Sequence, residues 1–467
     1  MDRLSPLDAE FLHLEDDVAH LHIAGLSVFE GPAPDLDDLV GLLEAKLHLI
    51  PRYRQRVRSV PLELGRPVWV DAADFDVRDH VGELALPGPG DDAALCDLMA
   101  DAMSRPLDRE RPLWETHLVR GLADERWALI FKVHHAMVDG ISGVGLLTVL
   151  LDLERDGELP DAPPWQPQPE PSGVSRVLDA WTGAAGDALH LAGQVPGAIV
   201  RDPLGALRSV TDTGEGLIGF PGHRGPPPPL SIEGPIGPTR SWAHSEASLV
   251  EVKAIGKAVG GTVNDVVLAT VSGGYRALLA ARGEDPDRAV VTTLVPVSVR
   301  TEDAEGVPDN RVSALLLDLP VDLADPVERV ERVCADMREL KHSHMADAGE
   351  TVTTLGALAP PMILGTVSRL ATRLMHRLPQ RSVNTVTTNV PGPQFPLYCL
   401  GREMLEYRPF VPISHGVRVG TAILSYNGRL SFGVTGDRDT ASDVDVLAAA
   451  IADGVGELGE RARDLRP

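Results

Sequence analysis

The chain has 467 residues, enough for two or three domain-sized units around large cores. Hydrophobic residues make up 43% and charged residues 24%, a globular balance that excludes a disordered chain. The formal net charge of −25 argues against a general nucleic-acid binder, which needs a basic field to meet phosphates.

The opening stretch MDRLSPLDAEFLHLEDD is charged at its second residue and has no apolar h-region, so no signal peptide is expected. Nor is a membrane span expected, because no run of about 18 apolar residues occurs. Within residues 1–158, LDDLVGLLEAKLHLI (36–50) carries leucines at helical spacing, PVWV (67–70) reads as a strand, and DDAALCDLMADAMS (91–104) reads as a helix. WALIFKVHH (127–135) is apolar enough for a buried strand, and ISGVGLLTVLLDLERDG predicts a helix closed by Gly157. Residues 159–240 form a crossover: the Pro-rich linker ELPDAPPWQPQPEPSG begins at 158, one or two helices follow, and 222–240 is a second irregular passage. The crossover joins two similar-sized halves.

Residues 241–467 mix elements again. Helices are expected over 248–260 and 264–283, strands over 289–299 and 310–321. Asp325, Pro326 and Glu328 form the opening of a helix running to about 341. RVGTAILSYNGRLSFGVTGD is a hairpin turning at Asn427-Gly428, and the last helix covers 443–463. Cys96, Cys334 and Cys399 lie far apart with no CxxC pair, which favours a reducing, cytoplasmic setting over a disulfide framework.

The stretch FKVHHAMVDGISG (131–143) carries the chemistry. On a strand of period two, His135 continues the face of Trp127, Leu129, Phe131 and Val133, while His134 shares the other with Ala128, Ile130 and Lys132. Adjacent histidines on a strand point apart, and no Cys/His/carboxylate cluster completes a ligand set, so no metal site is expected. Burial at the end of the apolar face would keep His135 neutral, as a general base requires. Asp139 can cap the following helix or pair with a distant arginine, and Gly140 allows a sharp turn. Taken alone, HxxxDG equally describes a strand-end histidine followed by an ordinary Asp-Gly turn.

HHAMVDG (134–140) does not stand alone. With LSPLDAEFLHLE (4–15), PVWVDAADFDVRDHV (67–81), RPLWETHLV (111–119), TVNDVVLATVSGGYRALL (262–279), VPVSVR, DNRVSALLLDLP and TTNVPGP (387–393), it resembles the bacterial wax ester synthase/diacylglycerol acyltransferase family over nearly the full length. HxxxDG alone marks only the wider superfamily of chloramphenicol acetyltransferase and the carrier-protein condensation domains. Ser231 and extra residues in PPLSIEGPIGP, and Asp309 before Asn310, depart from the family pattern.

The resemblance implies a mixed α/β fold of two chloramphenicol acetyltransferase-like subdomains, each a mixed sheet with flanking helices, joined by the helical and Pro-rich linker. It implies transfer of an acyl group from acyl-CoA, a substrate and not a cofactor, to diacylglycerol, with long-chain alcohols as further acceptors giving wax esters. His135 is the expected base, His134 a structural neighbour, and Asp139 an orienter with Arg300 as a partner. Asn264 has two readings, an amide donor to the oxyanion or the N-cap of its helix. Asp265 suits the helix's positive end. Pro112, Leu113 and Trp114 are expected to pack. No GxSxG elbow occurs, so direct attack is favoured over an acyl-enzyme. The competing readings are an acyltransferase using a carrier-protein donor or a glycolipid or polyketide alcohol, and a non-catalytic lipid-droplet protein.

In PPMILGTVSRLATRLMHRLPQR (360–381) four arginines recur every four residues beside an apolar stripe, which suits a peripheral contact with the inner membrane face or a lipid droplet as well as ordinary packing. The arginines of PRYRQRVR (51–58) read as a solvated face, or as contacts for the coenzyme A phosphates.

Overall fold

The computed structural model describes residues 1–137, 147–192, 229–298, 312–347 and 383–464. Two six-stranded mixed sheets dominate. In the first the order is Tyr398–Cys399, Arg402–Phe410, His22–Phe29, Trp127–His134, Trp114–Arg120 and Val81–Ala85, with only the last pair parallel. In the second it is Val312–Leu319, Val291–Ser298, Thr385–Pro391, Val419–Tyr426, Arg429–Asp437 and Arg240–Ser248, with Thr385–Pro391 parallel to both neighbours.

The sheets do not divide the chain at one point. Arg402–Phe410 follows four strands of the second sheet in sequence, yet it pairs antiparallel with His22–Phe29 in the first. The sheets meet at Gly433, where a Cβ would fall 1.8 Å from the Pro409 carbonyl oxygen, so no larger residue fits.

Each sheet buries its faces in the way its alternation predicts. Trp127 and Val133 face a core with Phe29, Trp114, Leu424 and Tyr426, whereas Ala128 and Ile130 face the helix Asp92–Met103. The second sheet packs on the helices Leu249–Val259, Val263–Ala281, Pro326–Asp347 and Val444–Asp464 through Val252, Val267, Leu278, Val330, Leu447 and Ile451. Local signals hold at their ends. Asp325 accepts from the Val327 and Glu328 amides, Gly260 closes its helix left-handed, and Asn427 and Gly428 both take the positive φ of a type I′ turn.

Two expectations need correction. The helix predicted to reach Gly157 is helical only over 147–150 among the described residues, because Asp152 leaves it to form a bridge with Tyr398, its N–H 2.7 Å from the Tyr398 oxygen. The arginines at 52–58 are not a freely solvated face, because each is engaged by another group of the chain. Arg52 pairs with Asp2 at 2.6 Å, Arg56 with Glu170 at 3.1 Å and Arg58 with Glu110 at 2.6 Å, and Arg54 lies over Trp165 at 4.5 Å. Trp165 and Glu170 belong to the Pro-rich linker, which straps across this sheet corner instead of spanning solvent.

Candidate active site at the histidine turn

The strand ends at His134, and His135–Met137 turn out of it as a single 3-10 turn, so His135 opens the turn instead of closing the strand. Three successive amides fix the turn from three directions. His134 N–H donates to Leu113 O at 2.9 Å, His135 N–H to Leu21 O at 2.9 Å, and Ala136 N–H to Nδ1 of His134 at 3.0 Å.

Because Nδ1 of His134 accepts, its hydrogen lies on Nε2, which donates to Oε2 of Glu15 at 2.9 Å. The ring is 1% exposed and both its nitrogens are committed inside the protein. The same carboxylate oxygen accepts from Arg109 at 2.7 Å. Burial raises the Glu15 carboxyl, but the bonds and charges of His134 and Arg109 outweigh it and hold the group below the usual carboxylate range. His135 is half-buried, its ring 4.1 Å from that of Phe11 and tilted 33°. Phe11 and Glu15 are four residues apart at the end of the helix Pro6–Leu14, so one helix meets both histidines.

His22 and Lys132, on the His134 side, serve a helix end. His22, the cross-strand partner of His134, donates from Nε2 to Met103 O at 2.8 Å, and fully buried Lys132 donates to Ala102 O at 3.2 Å and Arg105 O at 2.5 Å. Ala102 and Met103 are in the last turn of the helix Asp92–Met103 and Arg105 lies just beyond it, so these bonds satisfy carbonyls at and after the helix end. Burial, and then the Lys132 charge, pushes His22 well below its ordinary pKa, and burial lowers Lys132 against the opposing Glu115 charge. A cavity of about 350 Å³ on this side is lined by Asp79, Arg105, Glu115 and His117 among others; His135 is not in its wall.

The Pro-Leu-Trp block packs, as expected. Leu113 is buried and supplies the carbonyl that holds His134, while Trp114 stacks on His80 at 4.6 Å and donates from Nε1 to Tyr53 O at 2.9 Å. Pro112 is buried, and its carbonyl accepts the Trp114 amide at 2.9 Å.

The cap reading of Asn264 is corrected. Thr262 is the N-cap of Val263–Ala281, and Asp265 completes a capping box: its carboxylate accepts from the Thr262 amide at 2.7 Å while its own amide donates to Thr262 Oγ1 at 3.3 Å. Asn264 is therefore relieved of capping. Its Oδ1 accepts from Nδ2 of Asn389 at 3.1 Å, which joins the Asn-Asp block to the Asn-x-Pro-Gly-Pro block 125 residues away. The group that Asn264 can offer a substrate is its Nδ2 amide.

Asp139, Gly140, Arg300 and 360–381 lie outside the described residues. Glu15, Phe11, Arg109 and Asn389 are the site residues that sequence reasoning missed. Glu15 and Phe11 end a quoted block, but nothing local says that they reach histidines more than 100 residues on. The three cysteines are thiols, not nucleophilic thiolates: burial pushes Cys96 and Cys334 up to about 11 and Cys399 up to about 12. Among the described residues no helix is long and apolar enough to cross a membrane.

The wax ester synthase/diacylglycerol acyltransferase catalytic domain matches residues 4–267, and the C-terminal domain of the same proteins matches 309–459. A probable diacylglycerol O-acyltransferase (tgs1) of Mycobacterium tuberculosis is 38% identical, covering 98% of this chain and 96% of that protein. A second, putative diacylglycerol O-acyltransferase of that species is 32% identical, covering 97% and 98%. Among solved structures, the wax ester synthase/diacylglycerol acyltransferase from Marinobacter aquaeolei VT8 matches with a TM-score of 0.72 at 26% identity, covering 99% of this chain and all of that one (100%). The first condensation domain of the CDA synthetase shares the fold, with a TM-score of 0.58 at 18% identity over 99% and 96%.

Proposed function

The chain belongs to the wax ester synthase/diacylglycerol acyltransferase family and is an acyltransferase, and on that premise we propose that it transfers the acyl group of acyl-CoA to diacylglycerol, with His135 as general base. The observation that carries the assignment is the commitment of both ring nitrogens of His134 to Ala136 and Glu15, which removes His134 from the candidates for the base. Nε2 of His135 accepts the hydroxyl proton as the alcohol oxygen attacks the thioester carbonyl. The tetrahedral oxyanion is met by an amide donor, for which we propose Nδ2 of Asn264. Collapse breaks the carbon–sulfur bond, the proton returns from His135 to the departing thiolate, and triacylglycerol and free coenzyme A remain.

No step passes through an acyl-enzyme, in keeping with cysteine thiols whose pKa values burial raises. Long-chain alcohols would enter by the same route to give wax esters. In this reading the acceptor is met at a lipid surface, with the basic, apolar-striped sequence 360–381 as a contact. The test is release of free thiol from palmitoyl-CoA in the presence of diacylglycerol, hexadecanol or buffer alone. Triacylglycerol should form with diacylglycerol present, and thiol release equal in all three would sink the reading.

A further inference from the structure

The helix Pro6–Leu14 touches both histidines, yet the chemistry described above uses neither of its contacting residues. Glu15 is 7% exposed, a carboxylate placed at the edge of the core, and it is held there by two donors on one oxygen. A buried carboxylate is costly unless its bonds do something that an apolar residue could not. Here they decide which nitrogen of His134 carries the hydrogen. With Glu15 accepting, Nε2 is protonated and Nδ1 is left as an acceptor for the Ala136 amide. With the opposite tautomer, Nδ1–H would face Ala136 N–H, donor against donor, and the turn would open. Ala136 is the residue after His135, so the bond it makes sets the direction in which the His135 side chain leaves the backbone.

We propose that Glu15 is a positioning residue for His135, acting through the tautomer and orientation of His134, with Arg109 fixing the Glu15 carboxylate. The proposal rests on the reading of His135 as the base. Glu15 does not touch the reacting atoms. It makes His134 a peg between the helix and the turn, while Phe11, one helical turn earlier, supplies the surface on which the His135 ring lies. Arg109 has its own anchor, a bond to Leu12 O at 3.1 Å, so the carboxylate is gripped from the helix that carries it.

The experiment is steady-state kinetics with palmitoyl-CoA and diacylglycerol on Glu15→Ala, Glu15→Gln, His134→Ala, the Glu15→Ala/His134→Ala pair and His135→Ala. Glu15→Ala should lower kcat about 10²-fold, the scale of a misplaced catalytic group, with KM for palmitoyl-CoA held. Glu15→Gln keeps an oxygen able to accept from both His134 and Arg109, and should restore most of the loss. The double variant should fall no lower than His134→Ala alone, because the two residues act as one unit.

A folded Glu15→Ala enzyme with wild-type kcat, losses that multiply in the double variant, or a Glu15→Gln enzyme as slow as Glu15→Ala would each overturn the proposal. If Glu15→Ala does not fold, Glu15→Leu keeps the bulk without the acceptor and takes its place under the same criteria. Failure of the base reading looks different: His135→Ala would then turn over like wild type. A dead His135→Ala beside an unimpaired Glu15→Ala breaks only the positioning role.

Discussion

The histidine turn and the asparagine corner are built on opposite plans. Apart from the neighbouring Ala136 amide, the described groups that fix His134 and His135 come from elsewhere in the chain: Glu15, Leu21, Leu113 and, for His135, the ring of Phe11. The start of the helix at Asn264 is fixed by residues three apart, Thr262 and Asp265, and a single long-range bond, from Asn389, then aims the amide. The difference separates what a site residue does from what holds it. At the turn the holding groups are tertiary, so disturbing them should disturb the chemistry. At the helix start the holding groups are local, and stability and chemistry should come apart.

The largest effect should test the turn. His135→Ala removes the proposed base, and turnover should fall about 10²–10⁴-fold while the fold survives. Circular dichroism beside the kinetic assay checks both halves, and near-wild-type turnover in a folded variant would end the assignment. Asn264→Ala should follow. Losing an oxyanion donor costs on the order of 10²–10³ in kcat, and the loss should come without the instability that removal of a cap brings.

How much of this could be read from sequence follows the same division. Periodicity found the strand Trp127–His134 and its two faces, since alternation is local and burial respects it. The helix from Val263 is also legible, but Asn264, a residue type that caps well, stays divided in sequence between the cap and an oxyanion donor. The Thr262-x-x-Asp265 box, two residues earlier, is the stronger signal and takes the cap. The role of Glu15 was not legible. It depends on the packing of an N-terminal helix against a strand end 119 residues away, and no spacing encodes that contact. The crossing of Arg402–Phe410 into the first sheet was hidden for the same reason.

The two regions should also differ in their response to acid. His22, directly across from His134, is fully buried beside Lys132 and has a folded pKa well below the ordinary 6.5. Above pH 6.5 both the folded and unfolded chains leave it neutral, and its contribution to stability is complete. As pH falls below that value the unfolded chain takes up a proton that the native state refuses. Stability should therefore drop by about 1.4 kcal/mol per pH unit until the folded pKa is reached. Burial, and then the Arg240 charge, lowers His20 too, which adds to the fall in the same direction. Urea unfolding at pH 7.5, 6.5 and 5.5 would give the slope. His22→Gln, which keeps a donor for the Met103 carbonyl but cannot titrate, should flatten it. Stability that rises as pH falls through this window would contradict the buried-neutral reading of His22.

The smallest expected effect is the sharpest test of the local plan. Thr262→Ala removes the hydroxyl that accepts from the Asp265 amide and donates to the Asp265 carboxylate at 2.8 Å, leaving only the 2.7 Å bond from the residue 262 amide. Losing a threonine cap costs about 1 kcal/mol, and urea unfolding resolves that. Turnover should change far less than in Asn264→Ala, because the bond from Asn389 still holds the amide after the first turn loosens. Asn264→Ala should show the converse, a large loss of kcat at unchanged stability. The two variants thus separate an anchor from the group it carries. If Asn264→Ala lost the cap energy and Thr262→Ala lost none, the helix would begin at Asn264 after all, and its side chain would be occupied with backbone amides instead of a substrate.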